Sequence, residues 1–337
     1  MKYHPTIAAI GCALLAINLA EAKTITVDNK VGSVAMFTSV QTACDTAVQG
    51  DTILIAGSPT AYGHVDVRKQ VHLVGPGYWL AENGIPGITK DTATFSITFG
   101  EIELSSSNGS SATGVSITNL MYATPEVGTF YFDKCVIIDS SSNGGLRSRV
   151  HIKRSFVHGA TLQVFGSSIS NCLIGGSFTH LMNGTTASNC VMQFAQNFSS
   201  VAGSSISNSI FIAPSGQTGS AFAASAKGSV THSLAVGGVG VGGNPTFLPS
   251  GNGNISTIAF TSQAFVQGQA NDKAFVLAAG SPAIGTGLNG VNMGIFGGVL
   301  PYVISGVPSI PRITRFQVPA TATSASGLRI EMDAQSF

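Results

Sequence analysis

A five-residue pattern recurs along the middle of the chain. Its first position is apolar, its second polar, its fourth mostly Cys or Ser, and its fifth apolar. The copies lie at residues 117–121, 132–136, 152–156, 169–173, 187–191, 206–210 and 230–234. Their third positions are 15 to 24 residues apart. A fixed motif at irregular spacing of about 20 residues is typical of a stacked solenoid, in which the core is constant and the loops vary.

The third position of the motif indicates how each coil bends. It carries Asn in four copies, at Asn119, Asn171, Asn189 and Asn208. Asn tolerates the left-handed backbone that a tight bend requires, and we expect each Asn side chain to bond to the Asn one coil away. Alternation of apolar and polar residues predicts strands, which would stack through parallel pairing at about 4.8 Å. The sequence therefore predicts an all-β, single-stranded parallel β-helix.

Both ends of the predicted solenoid carry segments suited to covering an open coil. Residues 37–48 have helical apolar spacing, with Thr38 or Ser39 as N-cap, and would plug the first coil. Residues 313–318 and 328–332 are predicted to pair as a hairpin that shields the edge of the last coil. We therefore divide the mature chain into a β-helix with its N-terminal cap at 23–300 and a C-terminal capping hairpin or tail at 301–337.

The first 22 residues are typical of an export signal. A short basic start precedes an apolar run from Thr6 to Leu19, and Ala20-Glu21-Ala22 predicts cleavage after Ala22. The apolar run is too short to span a bilayer. The mature protein is therefore predicted to be secreted, extracellular or at the cell surface, with no integral membrane segment.

Export permits disulfides, and cleavage would leave four cysteines. Cys172 and Cys190 occupy the same motif position in adjacent coils, so their Cα atoms would lie about 5 Å apart, within disulfide range. A stacked ladder of buried thiols explains the same positions, because other coils carry Ser there. The sequence leaves both arrangements open.

Charged residues make up only 9% of the chain, with 16 Lys and Arg against 15 Asp and Glu. Near neutrality argues against a nucleic-acid partner, which requires a basic footprint. No Asp or Glu occurs between Asp139 and Asp272, so the middle coils lack both a carboxylate cation site and the carboxylate pair of a glycoside hydrolase. We predict no cofactor and no metal site.

Two segments resemble secreted bacterial pectate-lyase-like β-helix proteins. GDTILIAGSPTAYGHVDVRKQVHLVGPGY (residues 50–78) is similar to the entry of their helix, and FVLAAGSPAIGTGLNGVNMGIFGG (residues 275–298) to the closing coil of many members. The resemblance covers residues 24–300 and implies a right-handed coil, with extracellular work on polysaccharide or attachment to it. The resemblance also implies that a lyase of this family would need a basic residue that takes the proton beside a uronic acid. Many members also need a carboxylate cluster that binds calcium.

The densest group of charges lies at residues 147–154. Alternation on a strand would place four basic side chains on one outward face: Arg147, Arg149, His151 and Lys153. With Arg154 beside them, these residues are candidates for binding an acidic polysaccharide. Arg149, His151 and Lys153 are also the catalytic candidates, with His151 or Lys153 as proton acceptor. The motif alignment favours an ordinary alternative, a cross-strand ion pair between Lys153 and Asp133.

Two functions fit these observations. The first is a non-catalytic extracellular or cell-surface scaffold that contacts polysaccharide, because the sequence carries no recognisable catalytic set. The alternative is a polysaccharide lyase that cleaves an acidic glycan by β-elimination at the face of Arg149, His151 and Lys153.

Overall fold

The structure is a computed structural model. It describes residues 22–87, 89–99, 107–122, 128–139, 149–182, 184–194, 203–213, 229–237, 248–319, 321 and 327–336. The predicted export signal, apart from Ala22, and Arg147 of the basic row lie outside the described residues.

The described residues form strands with two short helices. The first strands are β1 (Thr24–Val27), β2 (Thr52–Ile55), β3 (His64–Val67), β4 (His72–Val74), β5 (Thr94–Phe99), β6 (Ser111–Thr113), β7 (Ser116–Tyr122), β8 (Thr129–Asp133), β9 (Val136–Asp139), β10 (Arg149–Lys153) and β11 (Phe156–Phe165). They are followed by β12 (Ser168–Ser170), β13 (Leu173–Met182), β14 (Thr186–Ser188), β15 (Val191–Phe194), β16 (Ser205–Ser207), β17 (Ile210–Ala213), β18 (Ser229–Thr231), β19 (Leu234–Gly237), β20 (Ile255–Phe260), β21 (Arg312–Gln317) and β22 (Glu331–Gln335). The helices are α1 (Val40–Thr46) and α2 (Thr261–Ala264), and 3₁₀ turns lie at Asn271–Phe275, Leu288–Gly290 and Ile304–Gly306.

Two parallel sheets build a β-solenoid, which confirms the predicted all-β parallel fold. Within the described residues each sheet has ten strands. The first sheet follows the order β1-β2-β4-β6-β8-β10-β12-β14-β16-β18, and the second the order β3-β5-β7-β9-β11-β13-β15-β17-β19-β20. From β2 to β19 the chain alternates between the two sheets. Each coil therefore contributes one strand to each sheet and pairs only with the coils before and after it.

The first position of the motif fills the interior. Phe132, Ile152 and Ile169 are in register on adjacent strands of the first sheet, and each is at most 1% exposed. From the copy at 132–136 onward, the sixth residue, such as Val157 or Ile174, belongs to the same buried cluster. Burying these stacked aliphatic and aromatic side chains is the main favourable contribution to stability, at about 25 cal/mol per Å² of apolar surface.

Between the two strands of a coil, the third motif position turns the chain through one left-handed residue. The φ angles there are positive in successive coils: Lys134 (56°), Arg154 (47°), Asn171 (53°), Asn189 (52°), Asn208 (51°) and His232 (47°). Asn252 (52°) continues this corner row beyond the last copy of the motif. Asn171, Asn189 and Asn208 thus occupy the bend where the sequence placed them.

Asn119 does not belong to the corner row. It lies inside β7, and its buried side-chain oxygen has no hydrogen-bond partner among the described residues. Thr113 is the residue that pairs with Asp133, which places Gly114 (φ 65°) beside Lys134. The true corner of this coil is therefore Gly114, and the match at residues 117–119 misplaced the motif. Gly satisfies the same backbone requirement as Asn, because it lacks a Cβ that would clash in the left-handed region.

The small polar residues at the fourth position satisfy buried amides. Ser155 Oγ accepts from the Cys135 amide at 3.0 Å, and Ser209 Oγ accepts from the Cys190 amide at 3.1 Å. Ser233 Oγ accepts from the amide of Ser209 at 3.2 Å. An unpaired buried N–H costs about 1–3 kcal/mol, so the Ser hydroxyls in this slot protect these coils against that penalty.

Cys172 and Cys190 stack in this slot as free thiols in the structure. Each Sγ donates to the carbonyl two residues earlier, at 3.2 Å for Cys172 and 3.3 Å for Cys190. Burial raises the pKa of the Cys190 thiol to about 12 and raises the pKa of the Cys172 thiol well above its ordinary value. The structure thus contains the thiol ladder.

The fifth motif position faces outward yet is largely covered. Its residues form an apolar file along the start of the second sheet: Val136, Phe156, Leu173, Val191, Ile210 and Leu234. Residues 282–309, which we call the strap, lie on this file. Ala283, Met293, Ile295 and Tyr302 of the strap are at most 4% exposed and belong to the same cluster. The apolar fifth position therefore reflects a second core outside the solenoid, a feature that the sequence analysis did not anticipate.

The corner side chains hold the strap. Asn171 Nδ2 donates to Ile295 O at 2.9 Å and to Gly297 O at 2.7 Å. Asn189 Nδ2 donates to Asn292 O at 3.1 Å, and Asn208 Oδ1 accepts from the Leu288 amide at 2.7 Å. The expectation that each Asn bonds to the Asn of the next coil is therefore wrong. The corner amides instead pair with backbone groups of the strap.

The strap runs back toward the start of the solenoid. As its numbering rises from Leu288 to Val307, the corner that it contacts falls from Asn208 to Lys134, whose Nζ donates to Val307 O at 3.0 Å. Further along, Ser305 O accepts from the amide of Tyr78 at 2.8 Å. The chain thus crosses most of the coils a second time before it reaches the hairpin.

The two ends differ in how far the structure follows the prediction. Helix α1 begins after Ser39, whose side chain accepts from the Thr42 amide at 3.3 Å, and it buries Val40, Ala43 and Cys44. A hairpin forms from β21 and β22 as predicted, but its second strand is Glu331–Gln335 instead of residues 328–332. Its first residue, Arg312, donates to the carbonyls of Pro76 and Thr89, both at 3.1 Å. The hairpin therefore begins beside the early coils instead of on the last coil, because the strap has carried the chain there.

Replacing Asn171 by Gly tests the corner bonds. Gly keeps the left-handed backbone but removes the Asn171 donor from Gly297 O and one of the two donors from Ile295 O, which keeps the Tyr302 amide. The free energy of unfolding should therefore fall by about 1–3 kcal/mol in urea titrations. Asn252→Gly is the matched control, because Asn252 has the same backbone conformation and an exposed side chain. Equal stability of the two variants would contradict the role given to the Asn171 amide.

Thiol titration without reductant tests the ladder. Because burial raises the pKa of Cys44, Cys135 and Cys190 to about 12, these thiols stay protonated at pH 8 and should react slowly in the folded protein. After denaturation, four thiols per mature chain should react with Ellman's reagent. Two thiols instead of four would show that Cys172 and Cys190 are joined by a disulfide.

Candidate functional site

Strand β10 presents the basic row on the outer face of the first sheet. Val150 and Ile152 point inward and are fully buried, which leaves Arg149, His151 and Lys153 on the outside. Arg149 is exposed and the other two are half-buried. The alternation expected from the sequence is therefore present for the described part of the row.

The carboxylate of Asp133 is bound by Arg154, not by Lys153. Lys153 lies opposite Asp133 in the ladder between β10 and β8. Arg154 is the next residue, at the left-handed corner, and its guanidinium reaches across to Asp133 with two bonds, Nε to Oδ1 at 2.8 Å and Nη2 to Oδ2. The predicted Lys153–Asp133 pair is thus replaced by a bidentate Arg154–Asp133 pair. The bend redirects the Arg154 side chain, and a planar guanidinium matches a carboxylate better than an ammonium does.

This pairing separates the basic residues into two groups. Arg154 is taken up by Asp133, and Lys134 is buried, with its Nζ bonded to Val307 O and to Ser309 Oγ at 3.0 Å each. Arg149 and Lys153 form no ion pair with any residue that the structure describes. Of the candidate binding residues that are described, Arg149 and Lys153 retain a free charge toward solvent, and Arg154 does not.

Tyr131 adds an aromatic surface to the row. It lies opposite His151 on β8, and the two rings stack with centroids 5.0 Å apart and planes at 17°. Tyr131 is 43% exposed, so part of the ring faces solvent. The sequence analysis missed it, although its position one residue before the motif copy at 132–136 places it on the outward face.

The imidazole of His151 is held on both sides. Its Nδ1 lies 2.6 Å from Ser168 Oγ on β12, and its ring covers Tyr131 on β8. Burial, together with the nearby charge of Lys153, lowers the pKa of His151 below its ordinary value. His151 is therefore neutral at pH 7, and the hydrogen bond to Ser168 fixes its ring between two cationic side chains.

Charge is confined to one region of this outer face. Beyond β10 the outward residues of the first sheet are hydroxylic: Ser168, Ser170, Thr186, Ser188, Ser205, Ser207, Ser229 and Thr231. Among the described residues no group of three or more His, Cys, Asp or Glu side chains converges to hold a metal ion. The arrangement at β8, β10 and β12 can therefore act through positive charge, an aromatic face and a neutral imidazole.

A separate cavity of about 600 Å³ lies at the early coils. It is mainly apolar, and Val34, Leu54, Ile310 and Ile313 contribute to its wall together with the guanidinium of Arg312. None of its lining residues belongs to β8, β10 or β12, so the basic face lies on an open surface outside this cavity.

Comparison of the chain with protein-family models, with curated proteins and with solved structures found no match. A search of the described residues for membrane-spanning helices found none of sufficient length and apolar character.

The position of His151 predicts pH-dependent binding of polyanions. Its pKa is lowered, so the ring gains a positive charge only when the pH falls below the ordinary value of about 6.5. Affinity for polygalacturonate should therefore rise as the pH is lowered from 7.5 to 5, a range in which uronate carboxylates remain ionised. Isothermal titration calorimetry should show this rise for the native protein and a flat profile for His151→Gln. A parallel rise in the variant would exclude His151 as its cause.

Proposed function

We propose that this protein is a secreted β-helix scaffold whose outer face of β8, β10 and β12 binds an acidic polysaccharide without catalysing its cleavage. The observation that carries the proposal is the pair of unneutralised cations, Arg149 and Lys153, on either side of the exposed Tyr131–His151 stack. The chain has few charges, and its other basic side chains at this corner are engaged by Asp133 and by the strap.

The chemistry of an acidic sugar chain fits this face. Uronate carboxylates are acceptors for the guanidinium of Arg149 and the ammonium of Lys153. An exposed aromatic ring such as Tyr131 offers a flat apolar surface with little conformational entropy to lose, against which the apolar face of a sugar ring packs. The hydroxylic rows on the following coils extend the face with neutral hydrogen-bonding groups.

Two features of the sequence support an extracellular setting for this binding. Residues 1–22 are typical of an export signal. The resemblance of residues 50–78 and 275–298 to secreted pectate-lyase-like proteins also favours work outside the cell on polysaccharide. Secretion, like glycan binding, is part of the proposal.

Binding to polygalacturonate tests the proposed site. Two exposed charge contacts at about 1 kcal/mol each correspond to roughly thirtyfold in affinity, so Arg149→Ala with Lys153→Ala should weaken binding by that factor at low salt. The double variant Lys30→Ala with Arg329→Ala removes two other surface cations and should bind as the native protein does. Circular dichroism should show an intact β fold in both. Unchanged affinity of the Arg149 and Lys153 variant would refute the site.

A second candidate function is a polysaccharide lyase. The observation in its favour is a neutral imidazole, His151, held between two cations, since β-elimination needs a base for the proton beside the carboxylate and positive charge to stabilise the anion that forms. Incubation with pectate, alginate and glycosaminoglycans should produce ultraviolet absorbance from unsaturated ends if this activity exists, and His151→Gln should abolish it. Binding of these polysaccharides without any absorbance change would exclude the lyase and favour the scaffold function.

A further inference from the structure

A second group of polar side chains lies on the outer face of the other sheet, on β3 and β5. His64 pairs directly with Ser96 across the two strands, and Asp66 lies two residues after His64 on the same face. Ser96 Oγ is 3.0 Å from His64 Nδ1, and His64 Nε2 is 3.1 Å from Asp66 Oδ1. A hydroxyl, an imidazole and a carboxylate are thus connected in a row by two hydrogen bonds.

The carboxylate determines which imidazole nitrogen carries the proton. An ionised Asp66 only accepts hydrogen bonds, so His64 Nε2 must carry the proton that is donated to Asp66 Oδ1. The hydroxyl of Thr98, 3.3 Å from the same nitrogen, is a second acceptor. His64 Nδ1 is then the unprotonated nitrogen, and its lone pair faces the O–H of Ser96. This is the arrangement in which a histidine takes the proton of a serine nucleophile.

Asp66 is itself fixed in place. Its backbone amide donates to Gln41 Oε1 at 2.7 Å, and its second carboxylate oxygen, Oδ2, lies 3.5 Å from Arg68 Nη2. The inward neighbours on the two strands, Val65 and Ile97, are fully buried. All three side chains of the row therefore project from rigid strands, which is the placement that holds a catalytic geometry.

Two other His–Ser pairs in the solenoid show what is particular to this one. His72 Nδ1 lies 2.9 Å from Ser111 Oγ, and His151 Nδ1 lies 2.6 Å from Ser168 Oγ, both across neighbouring strands. Over the described part of the chain, neither of those histidines has a carboxylate on its second nitrogen. Cross-strand pairing alone explains a His–Ser contact, but it does not supply the orienting carboxylate that His64 has.

We propose that Ser96, His64 and Asp66 form an acyl-transfer site that hydrolyses small acyl esters, with O-acetyl groups as the substrate class. Ser96 Oγ bonds to the ester carbonyl carbon while its proton moves to His64 Nδ1. The carbon–alkoxide bond then breaks, and the alkoxide leaves as an alcohol with that proton. Water attacks the acyl-serine, passes one proton through His64 to Ser96 Oγ, and releases acetic acid. The net reaction consumes one ester and one water.

The exposure of the site to solvent determines which esters it can accept. The side chains of His64 and Asp66 are 43% and 39% exposed, so the row lies open to solvent on the sheet face. An open face selects little for the acyl chain but admits an alcohol of any size, including a polymer. Acetyl groups carried on a long chain therefore fit better than free esters with bulky acyl groups.

Hydrolysis of p-nitrophenyl acetate by the full chain tests the proposal. The native protein should release p-nitrophenol, and mass spectrometry of quenched samples should locate an acetyl group on Ser96. Ser96→Ala should abolish both signals. A positioned general base contributes about 10²–10⁴-fold, so His64→Gln should lower the rate by at least about a hundredfold, and Asp66→Asn should lower it through the wrong tautomer.

The pair of His72 and Ser111 provides the matched control. His72→Gln and Ser111→Ala remove a histidine and a serine in the same cross-strand relation and should leave hydrolysis unchanged. The Ser96→Ala variant should lose the acetyl adduct but keep the β-sheet circular dichroism of the native protein. That combination would show that the loss of activity is not caused by misfolding. The proposal is overturned if Ser96 is not acetylated, or if Ser96→Ala hydrolyses the ester as fast as the native protein does.

Discussion

One left-handed residue in each coil from β6 to β19 is the constraint on which the rest of this structure depends. It turns the chain sharply from the first sheet to the second without a long loop. The alternation of inward and outward side chains is shifted at this residue and then continues along the next strand. A left-handed backbone disfavours residues with a Cβ by roughly 1–2 kcal/mol, and Gly and Asn reduce that cost. The corner row nevertheless includes Lys134, Arg154 and His232. At the first two, partners of the side chain offset the strain: Val307 and Ser309 for Lys134, and Asp133 for Arg154.

The corner row also determines which surfaces are free. Its Asn side chains fasten the strap, and the strap covers the apolar file at the start of the second sheet. The outer face of the first sheet is left open, and Arg154 and Lys134 are drawn away from it. The two cations that remain there, Arg149 and Lys153, are therefore a consequence of the corner geometry as much as of the composition. The proposed acyl-transfer row lies on the early strands of the second sheet, before the apolar file begins.

Much of the fold could be predicted from the sequence, because the motif repeats a single coil and its alternation specifies strands. The strap could not be predicted, because an apolar residue at the fifth motif position can be buried on either face of a sheet. Asn119 misled the alignment, since the true corner at Gly114 satisfies the same φ requirement with a different residue. The hairpin was recognised from its local pattern, but its location depends on contacts of Arg312 with residues more than two hundred positions away.

The candidate site was partly predictable for the same reason. Alternation placed Arg149, His151 and Lys153 outward, and the structure has them there. Sequence reasoning could not determine that Arg154 displaces Lys153 from Asp133, because the direction of a corner side chain depends on a φ angle. The Tyr131–His151 stack and the row of Ser96, His64 and Asp66 arise from strand register, which brings together residues 20 and 32 positions apart.

Hydrogen exchange of the strap tests the central claim most directly. If the corner row fastens residues 288–307 to the solenoid, amides such as Gly294, which donates to Asn208 O at 2.8 Å, should be protected as strongly as amides of β12 and β14. The exposed hairpin of β21 and β22 should exchange faster than the strap in the same experiment. Strap amides that exchange at the rate of open loops, while the strands remain protected, would contradict the account.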